Sequence, residues 1–244
     1  MRNSWLVARR EFSSFFASPV AYVFIAIFLM LSGIFTFFVG NFYDRGQADL
    51  LPFFNFHPWL YLFLVPAIGM RSWAEERRSG TIELLMTLPI TITEAVIGKF
   101  LAAWGVLALS LALTFPLWIT VNYLGAPDNG IIVAAYIGSW LMAGAFLAIS
   151  MCMSAITKNQ VVAFILAIVI CFLFVVCGSG IVLEAFQPWA GNLVIDTIAS
   201  FSFLTHFDAM AKGVLALNDV GYFVILTGLW LYGCQIIIEQ KKAD

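Results

Sequence analysis

Charged side chains are scarce in this chain of 244 residues. Asp, Glu, Lys and Arg make up 11% of the sequence, and hydrophobic residues make up 62%. In soluble domains about 25% of the residues are charged and about 45–50% are apolar. No polar stretch is long enough to form a soluble domain, so we expect residues 1–244 to form a single membrane domain. The net charge of −2 leaves no basic surface for nucleic acid.

Side chains that bind metals are equally few. The chain has four cysteines and two histidines, and it contains no C-x-x-C pair. All four cysteines fall inside apolar runs, so we interpret them as small buried hydrophobes and expect neither disulfides nor a metal site. The cysteines are Cys152, Cys171, Cys177 and Cys234.

The sequence lacks the motifs of nucleotide binding and hydrolysis. Gly98-Lys99 precedes Phe100 rather than Ser or Thr, and Thr93 stands where a phosphate-binding loop needs glycine. H-E-x-x-H, G-x-S-x-G and mid-span charge pairs are also absent. We therefore expect no catalytic residue and no cofactor in this chain, so any energy source would have to come from outside it.

Six apolar runs are long enough to predict an all-α, multi-pass membrane protein. Pro66 should kink the second run, and Ala134, Gly138 and Gly144 in the fourth run would let another helix approach closely. The predicted spans are residues 20–39, 51–70, 100–124, 131–156, 161–183 and 220–238.

Residues 1–18 are too polar to span, and they predict an amphipathic helix lying in the membrane interface. Trp5, Phe12 and Phe16 share one side of the helical wheel, while Arg9 would extend its charge to water and Arg10 lies on the polar side. The alternative, the start of a signal peptide, is disfavoured by an acidic residue and by the long apolar span that follows.

Basic residues predict the orientation. Six spans place both termini on one side of the membrane, and that side carries most of the Lys and Arg, so both termini should be cytoplasmic in a bacterial inner membrane. The cytoplasmic set is Arg2, Arg9, Arg10, Arg71, Arg77, Arg78, Lys99, Lys158, Lys241 and Lys242, against Arg45 and Lys212 outside.

Residues 71–99 form the one long charged segment between spans, and they predict a cytoplasmic coupling helix. Ser72 could cap it, and Pro89 would end it. Ile82, Leu85 and Leu88 form an apolar row suited to docking on another protein. The alternative is an ordinary charged loop.

Residues 184–219 are unusually apolar for an outer loop. We expect short interfacial or re-entrant helices, which the membrane tolerates when protein buries them. A seventh span is disfavoured because it would bury Asp196 and place the basic C-terminus outside.

The run E-E-R-R-S-G-T-I-E-L-L-M-T-L-P-I, followed by E-A-V-I-G-K, resembles the signature of ABC transporter permeases of the type-2 (export) class. The opening A-R-R-E-F-x-x-F-F-x-S-P-V-A-Y is most similar to the gliding-motility-associated subgroup. The absence of a basic residue just after Pro89 departs from the family pattern.

The resemblance implies a permease without its own ATPase site, so that ATP and Mg²⁺ would bind to a partner subunit. Its partners would be cytosolic ABC ATPase subunits, a second permease copy or a paralogue, membrane lipid and, in the gliding-type subgroup, an extracytoplasmic auxiliary subunit. By position, the resemblance implies ATPase coupling through Glu75, Glu76, Arg77, Arg78, Thr81, Glu83 and Leu84, an interfacial helix with Trp5, Arg9, Arg10 and Phe12, and an outer gate with Phe201, Phe203, His206 and Phe207.

Two other functions stay open from sequence. A membrane scaffold or signalling anchor would bind a cytosolic partner without transport. An intramembrane enzyme would need a polar site, for which His57, Glu184, His206 and Asp208 are the candidates, although scattered surface polarity explains them better. The aromatic and aliphatic spans fit an apolar or cell-envelope-related cargo, and they fit lipid-facing packing equally well.

Overall fold

A computed structural model describes residues 2–81, 89–186 and 191–241. Within these ranges the chain is helical, with turns between the helices and no strand. The helices are α1 (Arg2–Ala17), α2 (Val20–Ile34) with a π-helical continuation (Phe35–Val39), α3 (Leu51–Asn55), α4 (His57–Gly69), α5 (Arg71–Ser79), α6 (Ile92–Ala112), α7 (Phe115–Leu124), α8 (Asn129–Ile156), α9 (Gln160–Val176), α10 (Gly180–Phe186), α11 (Asn192–Ser200), α12 (Phe203–Ala211) and α13 (Leu217–Gln240).

Four helical stretches are long and apolar enough to cross a membrane: Val20–Val39, Ile92–Leu124, Asn129–Ile156 and Leu217–Gln240. These confirm an all-helical membrane protein. The second predicted span is instead divided into α3 and α4, and the fifth is the 17-residue α9 followed by a turn. The layout of six spans therefore stays a prediction.

The predicted third span begins too late in the chain. Its helix starts at Ile92 rather than Phe100, so the second half of the predicted coupling segment 71–99 belongs to α6. The start is set by a capping box, in which the Thr91 hydroxyl accepts from the Glu94 amide and the Glu94 carboxylate accepts from the Thr91 amide. The predicted third span is also interrupted just before Pro116, because α6 ends at Ala112 and α7 begins at Phe115.

The central element is α8, which packs against α4, α5, α6, α9, α12 and α13. Most of its length is buried, and its contact surface is rich in Ala, Gly and Ser. Gly138 lies against Met210 of α12, and Gly144 lies against Trp104 of α6. Because lipid gives apolar helices little drive to associate, close packing over small residues is what holds such a bundle together.

The two ends of α8 meet different parts of the chain. Near its N-terminus, Ile131 contacts Gly213, just after α12. Near its C-terminus, Ser154 contacts the first turn of α5. A helix of 28 residues is about 42 Å long at 1.5 Å per residue, so α8 connects the charged segment to the segment before α13.

The N-terminal helix α1 packs along α6. The buried residues in its first two turns are Ser4, Val7 and Ala8. A Cβ added at Gly98 of α6 would come within 2.6 Å of Val7 Cγ1 and 2.9 Å of the Ser4 carbonyl oxygen. Glycine at position 98 therefore allows the two backbones to approach closely.

Gly98→Ala should push α1 away from α6, because the nearest obstacle includes backbone that cannot rotate aside. We expect a loss of about 1–3 kcal/mol, the usual cost of overpacking, seen as a lower thermal unfolding midpoint in detergent. Gly33→Ala is the matched control, since no atom lies within 4 Å of its added Cβ. A midpoint for Gly98→Ala equal to or above that of Gly33→Ala would contradict the close contact.

Candidate functional site

The predicted coupling residues lie on α5, which sits at the C-terminal end of α8. One side of α5 is anchored: Trp73 and Ala74 are fully buried. The opposite side is exposed and carries Glu75 and Arg78. The helix therefore has an inner face toward the bundle and an outer face available to a partner.

The first turn of α5 is held by a side chain from α8. The Ser154 hydroxyl accepts from the backbone amides of Trp73 at 3.1 Å and Ala74 at 3.0 Å, and it donates to the Met70 carbonyl at 2.7 Å. The predicted cap at Ser72 is wrong, because α5 starts at Arg71 without a side-chain cap of its own. The orphan amides of the helix start are satisfied across the helix–helix contact instead.

Two basic side chains bind the C-terminal carbonyls of α8. Arg77 donates to the Ala155 carbonyl at 2.7 Å, and the Lys241 ammonium, just beyond α13, donates to the Ile156 carbonyl. Cations at a helix C-terminus also interact favourably with its dipole. Arg77 is thus bound to α8 within this chain rather than presented outward.

Lys99 joins three helices. Its ammonium lies 2.6 Å from Glu76 Oε1 on α5 and 3.5 Å from Glu11 Oε2 on α1, and it stands 5.2 Å from the centroid of the Trp73 ring. The Lys99 side chain is only 6% exposed. A cation removed from water to this degree depends on both carboxylates for compensation.

The environment of Glu11 favours its charged form. Burial alone would raise the pKa of its carboxyl, but Lys99 and Arg10 together outweigh burial and hold the pKa below 4.5. Because the pKa of Glu11 is lower in the folded protein than in the unfolded chain, its charged form stabilises the fold at pH values above the ordinary pKa. That stabilisation is lost as the pH falls below about 4.5 toward the folded-state pKa.

A cavity of about 280 Å³ opens between α1 and α5. Its lining combines the charged cluster with apolar side chains at the start of α2 and on α4. The lining includes Glu11, Phe15, Val20, Ile68, Arg71, Glu75, Glu76 and Lys99.

The outer face of α5 ends at a sharp turn. Gly80 adopts the left-handed conformation with φ of 73°, which ends α5 and separates it from Thr81; glycine adopts this conformation without steric cost. Arg71 and Glu75 pair at 2.9 Å, and Ser79 shares a hydrogen bond with Thr81. The coupling candidates Glu83 and Leu84, with the row Ile82, Leu85 and Leu88, lie outside the described residues.

The interfacial candidates of α1 divide between two sides. Trp5 is 67% exposed and Arg9 is exposed as well, while Phe12 packs partly buried against the core. Arg10 pairs with Glu11 at 2.7 Å. Of the three residues that the wheel placed on the apolar side, Phe12 and Phe16 therefore pack against the core, and Trp5 is exposed.

The outer-gate candidates are also divided. Phe203 and Phe207 are buried in the core, whereas Phe201 is 53% exposed. His206 is buried and paired with Asp219 of α13 at 2.7 Å. They lie on or beside α12, which packs on α8.

The candidates for an enzyme site are not brought together. His57 is fully buried among aromatic rings, stacked on Phe28 and Tyr61. Asp208 pairs with Lys212 rather than with His206. Among the residues that the structure describes, no group of three or more His, Cys, Asp or Glu could hold a metal ion.

Sequence reasoning missed Trp73, Ser154 and Glu11 as parts of this site. Each looks ordinary in its own segment, and each gains its role from a residue in another helix. The nearest available signal was Gly98-Lys99, whose glycine contacts α1 and whose lysine binds α5.

Lys99→Met should leave Glu76 and Glu11 without their shared cation. Breaking a buried pair from one side costs about 3–5 kcal/mol, and because Glu76 is 20% exposed we expect about 2–3 kcal/mol here, measured as a lower unfolding midpoint in detergent. Lys158→Met, at an exposed position, is the control. Equal midpoints for the two variants would contradict the three-helix role of Lys99.

Comparison with known proteins was made both with family models and with curated sequences. No curated protein matches the chain. A family model described as "ABC-2 family transporter protein" matches residues 50–232, which is more than half of the chain and includes α4, α5 and α8. The chain belongs to the ABC-2 transporter family, as the membrane permease of an ABC transporter, and membership implies association with an ABC ATPase.

Proposed function

We propose that this permease receives the movement of a cytosolic ABC ATPase on α5 and transmits it through α8 to the outer segment, driving export. The observation that carries the proposal is the double character of α5. Its inner face is bonded to α8 and α6, and its outer face is exposed.

The outer face supplies the docking surface. Arg78 and Thr81 are exposed, and the Arg71–Glu75 pair lies beside them. A rim of charges around an exposed helix suits a partner that binds and releases during each cycle, because such contacts give specificity and rapid association more than permanent affinity.

The inner face supplies the transmission. A push on α5 acts on the Ser154 hydroxyl and the Ala155 carbonyl of α8, and through Lys99 on α6 and α1. Packed helices respond by shifting between discrete arrangements rather than by bending continuously. The nucleotide state of the ATPase then selects among these arrangements by binding them with different affinity.

The assembly and orientation follow from the charge distribution and the resemblance. We propose six spans in a bacterial inner membrane, with both termini and α5 in the cytoplasm, since nearly all Lys and Arg fall on that side. A second permease, a copy or a paralogue, would complete the pathway with two ATPase subunits, and an extracytoplasmic subunit would fit the gliding-type resemblance. The apolar walls favour an apolar or amphipathic cargo.

Two substitutions separate docking from transmission. Arg78→Glu reverses a charge on the outer face, and we expect at least about tenfold weaker binding of the ATPase, equivalent to 1.4 kcal/mol. Ser154→Ala leaves that face intact but removes the three hydrogen bonds that the hydroxyl makes to the start of α5, so the complex should assemble while the permease alters the ATP hydrolysis rate much less. Pull-down and ATPase assays on the co-expressed complex give both readouts.

Each variant has a matched control. Lys158→Glu reverses an exposed charge that is not part of α5, in the loop after α8. Ser150→Ala removes an equally buried serine one turn earlier on α8, whose only hydrogen bond within the described residues is a long one of 3.4 Å to the Pro66 carbonyl. Unchanged ATPase binding by Arg78→Glu would contradict the docking face, and unchanged ATPase control by Ser154→Ala would contradict the transmission.

A further inference from the structure

One buried pair of a histidine and an aspartate lies far along the chain from the coupling site and takes no part in it. His206 on α12 lies with its Nδ1 2.7 Å from Asp219 Oδ1, in the first turn of α13, and with its Nε2 2.9 Å from the carbonyl oxygen of Ser200, the last residue of α11. The side chain of His206 is 9% exposed, and that of Asp219 is 12% exposed. One imidazole ring thus connects three helices of the segment before and at the start of the last span.

The hydrogen-bond partners define how many protons the ring must carry. A carbonyl oxygen can only accept, so Nε2 must hold a hydrogen. Neutral imidazole has a single N–H, which would leave the Nδ1 lone pair facing the carboxylate of Asp219. Beside an ionised Asp219, both contacts are satisfied together when the ring is an imidazolium that donates from each nitrogen.

Two neighbours favour this charged arrangement. Asp219 occupies the first turn of α13, where the helix dipole stabilises a carboxylate. The ring also stacks on Tyr222 with 4.0 Å between centroids, and the Tyr222 hydroxyl donates to the Phe201 carbonyl at 2.6 Å. The stack fixes the ring plane so that its two N–H bonds point at fixed acceptors.

Few other charges lie on the helices packed against α12. No Asp, Glu, Lys, Arg or His occurs on α3, α8 or α9, although α8 carries Tyr136 and Cys152 and α9 carries Cys171. Among the described side chains, Asp208 and Lys212 pair with each other at the surface, and Cys177 follows the end of α9, while Asp196 belongs to α11.

We propose that His206 is a proton-operated latch that holds α12 against α11 and α13 while its ring is doubly protonated. When the pH rises and Nδ1 loses its proton, the contact with Asp219 changes from attraction to repulsion between two lone pairs. The latch then opens, and it opens beside an apolar cleft of about 640 Å³ lined by Phe201, Tyr222 and Ile225. External pH would in this way control the outer end of the permease, independently of the ATPase.

The first test reads the protonation directly. The chain has two histidines, so ¹⁵N-histidine labelling of the full-length permease in lipid nanodiscs gives a simple spectrum, and the signals lost in His206→Gln identify the ring. We titrate from about pH 5 to about pH 8, the range in which imidazole changes charge. Both nitrogens of His206 should carry a hydrogen at the acid end, and Nδ1 should lose it as the pH rises.

The second test measures whether the latch opens, by labelling Cys177 in the same samples. Gly178 lies against Ser202 and Thr205 at the start of α12, so opening should expose its neighbour Cys177 to a maleimide. Asp219→Asn is the control, since thiols react faster as the pH rises whether or not the latch opens. The side-chain amide of the new asparagine can donate to the neutral Nδ1 of His206, so the latch should stay closed at every pH. The ratio of wild-type to Asp219→Asn labelling at Cys177 should rise over the pH range in which Nδ1 loses its proton.

A single N–H on His206 at the acid end would overturn the proposal, and so would a labelling ratio that stays flat across the titration. Should Asp219→Asn fail to fold, the labelling of Cys177 relative to Tyr123→Cys, at a position that is 90% exposed, corrects for the pH dependence of thiol chemistry. Neither result depends on ATPase binding, so failure of the latch and failure of the proposed transport function are distinguishable.

Discussion

The hydrogen bonds of the Ser154 hydroxyl hold the architecture of the coupling site together. One side chain of the central helix takes the place of a helix cap for α5, accepting from two of its amides and donating to the carbonyl just before it. An unsatisfied buried amide costs about 1–3 kcal/mol, so α5 can leave α8 only if water or another acceptor replaces the hydroxyl at these amides. This requirement fixes where α5 lies, and the contacts of Arg77 and Glu76 follow from it.

The site combines three kinds of interaction, each suited to its surroundings. Small residues let helices approach where there is only lipid or protein around them, as at Gly98 and Gly138. Hydrogen bonds to serine hydroxyls act where a helix starts inside the bundle. Charges act at the edge, where Lys99 binds carboxylates from two helices. Close packing thus lies in the interior of α8 and α6, and the charged interactions lie at their end, where the exposed helix α5 begins.

Features carried by a single segment could be predicted from the sequence. The membrane class, the helix over residues 1–18 and the position of the charged segment depend on composition and local periodicity, and these were sufficient. The start of α5 was missed because Ser154 lies 80 residues or more from the amides it caps. The break at Gly80 was missed because one glycine inside a helical pattern is compatible with either outcome. The pairing of His206 with Asp219 rather than Asp208 likewise depends on how α12 meets α13.

The central claim is that α5 and the end of α8 move as one body when the ATPase acts. A disulfide between Ala74→Cys and Ser154→Cys would replace the native hydrogen bonds with a covalent link at the same place. The measurement is ATP hydrolysis by the assembled complex, with the link formed and then reduced. With the link formed, the complex should hydrolyse ATP at the wild-type rate, because the covalent link replaces the bonds of the Ser154 hydroxyl. Hydrolysis that stops when the link forms and returns on reduction would show that the two helices must separate, and would contradict the account.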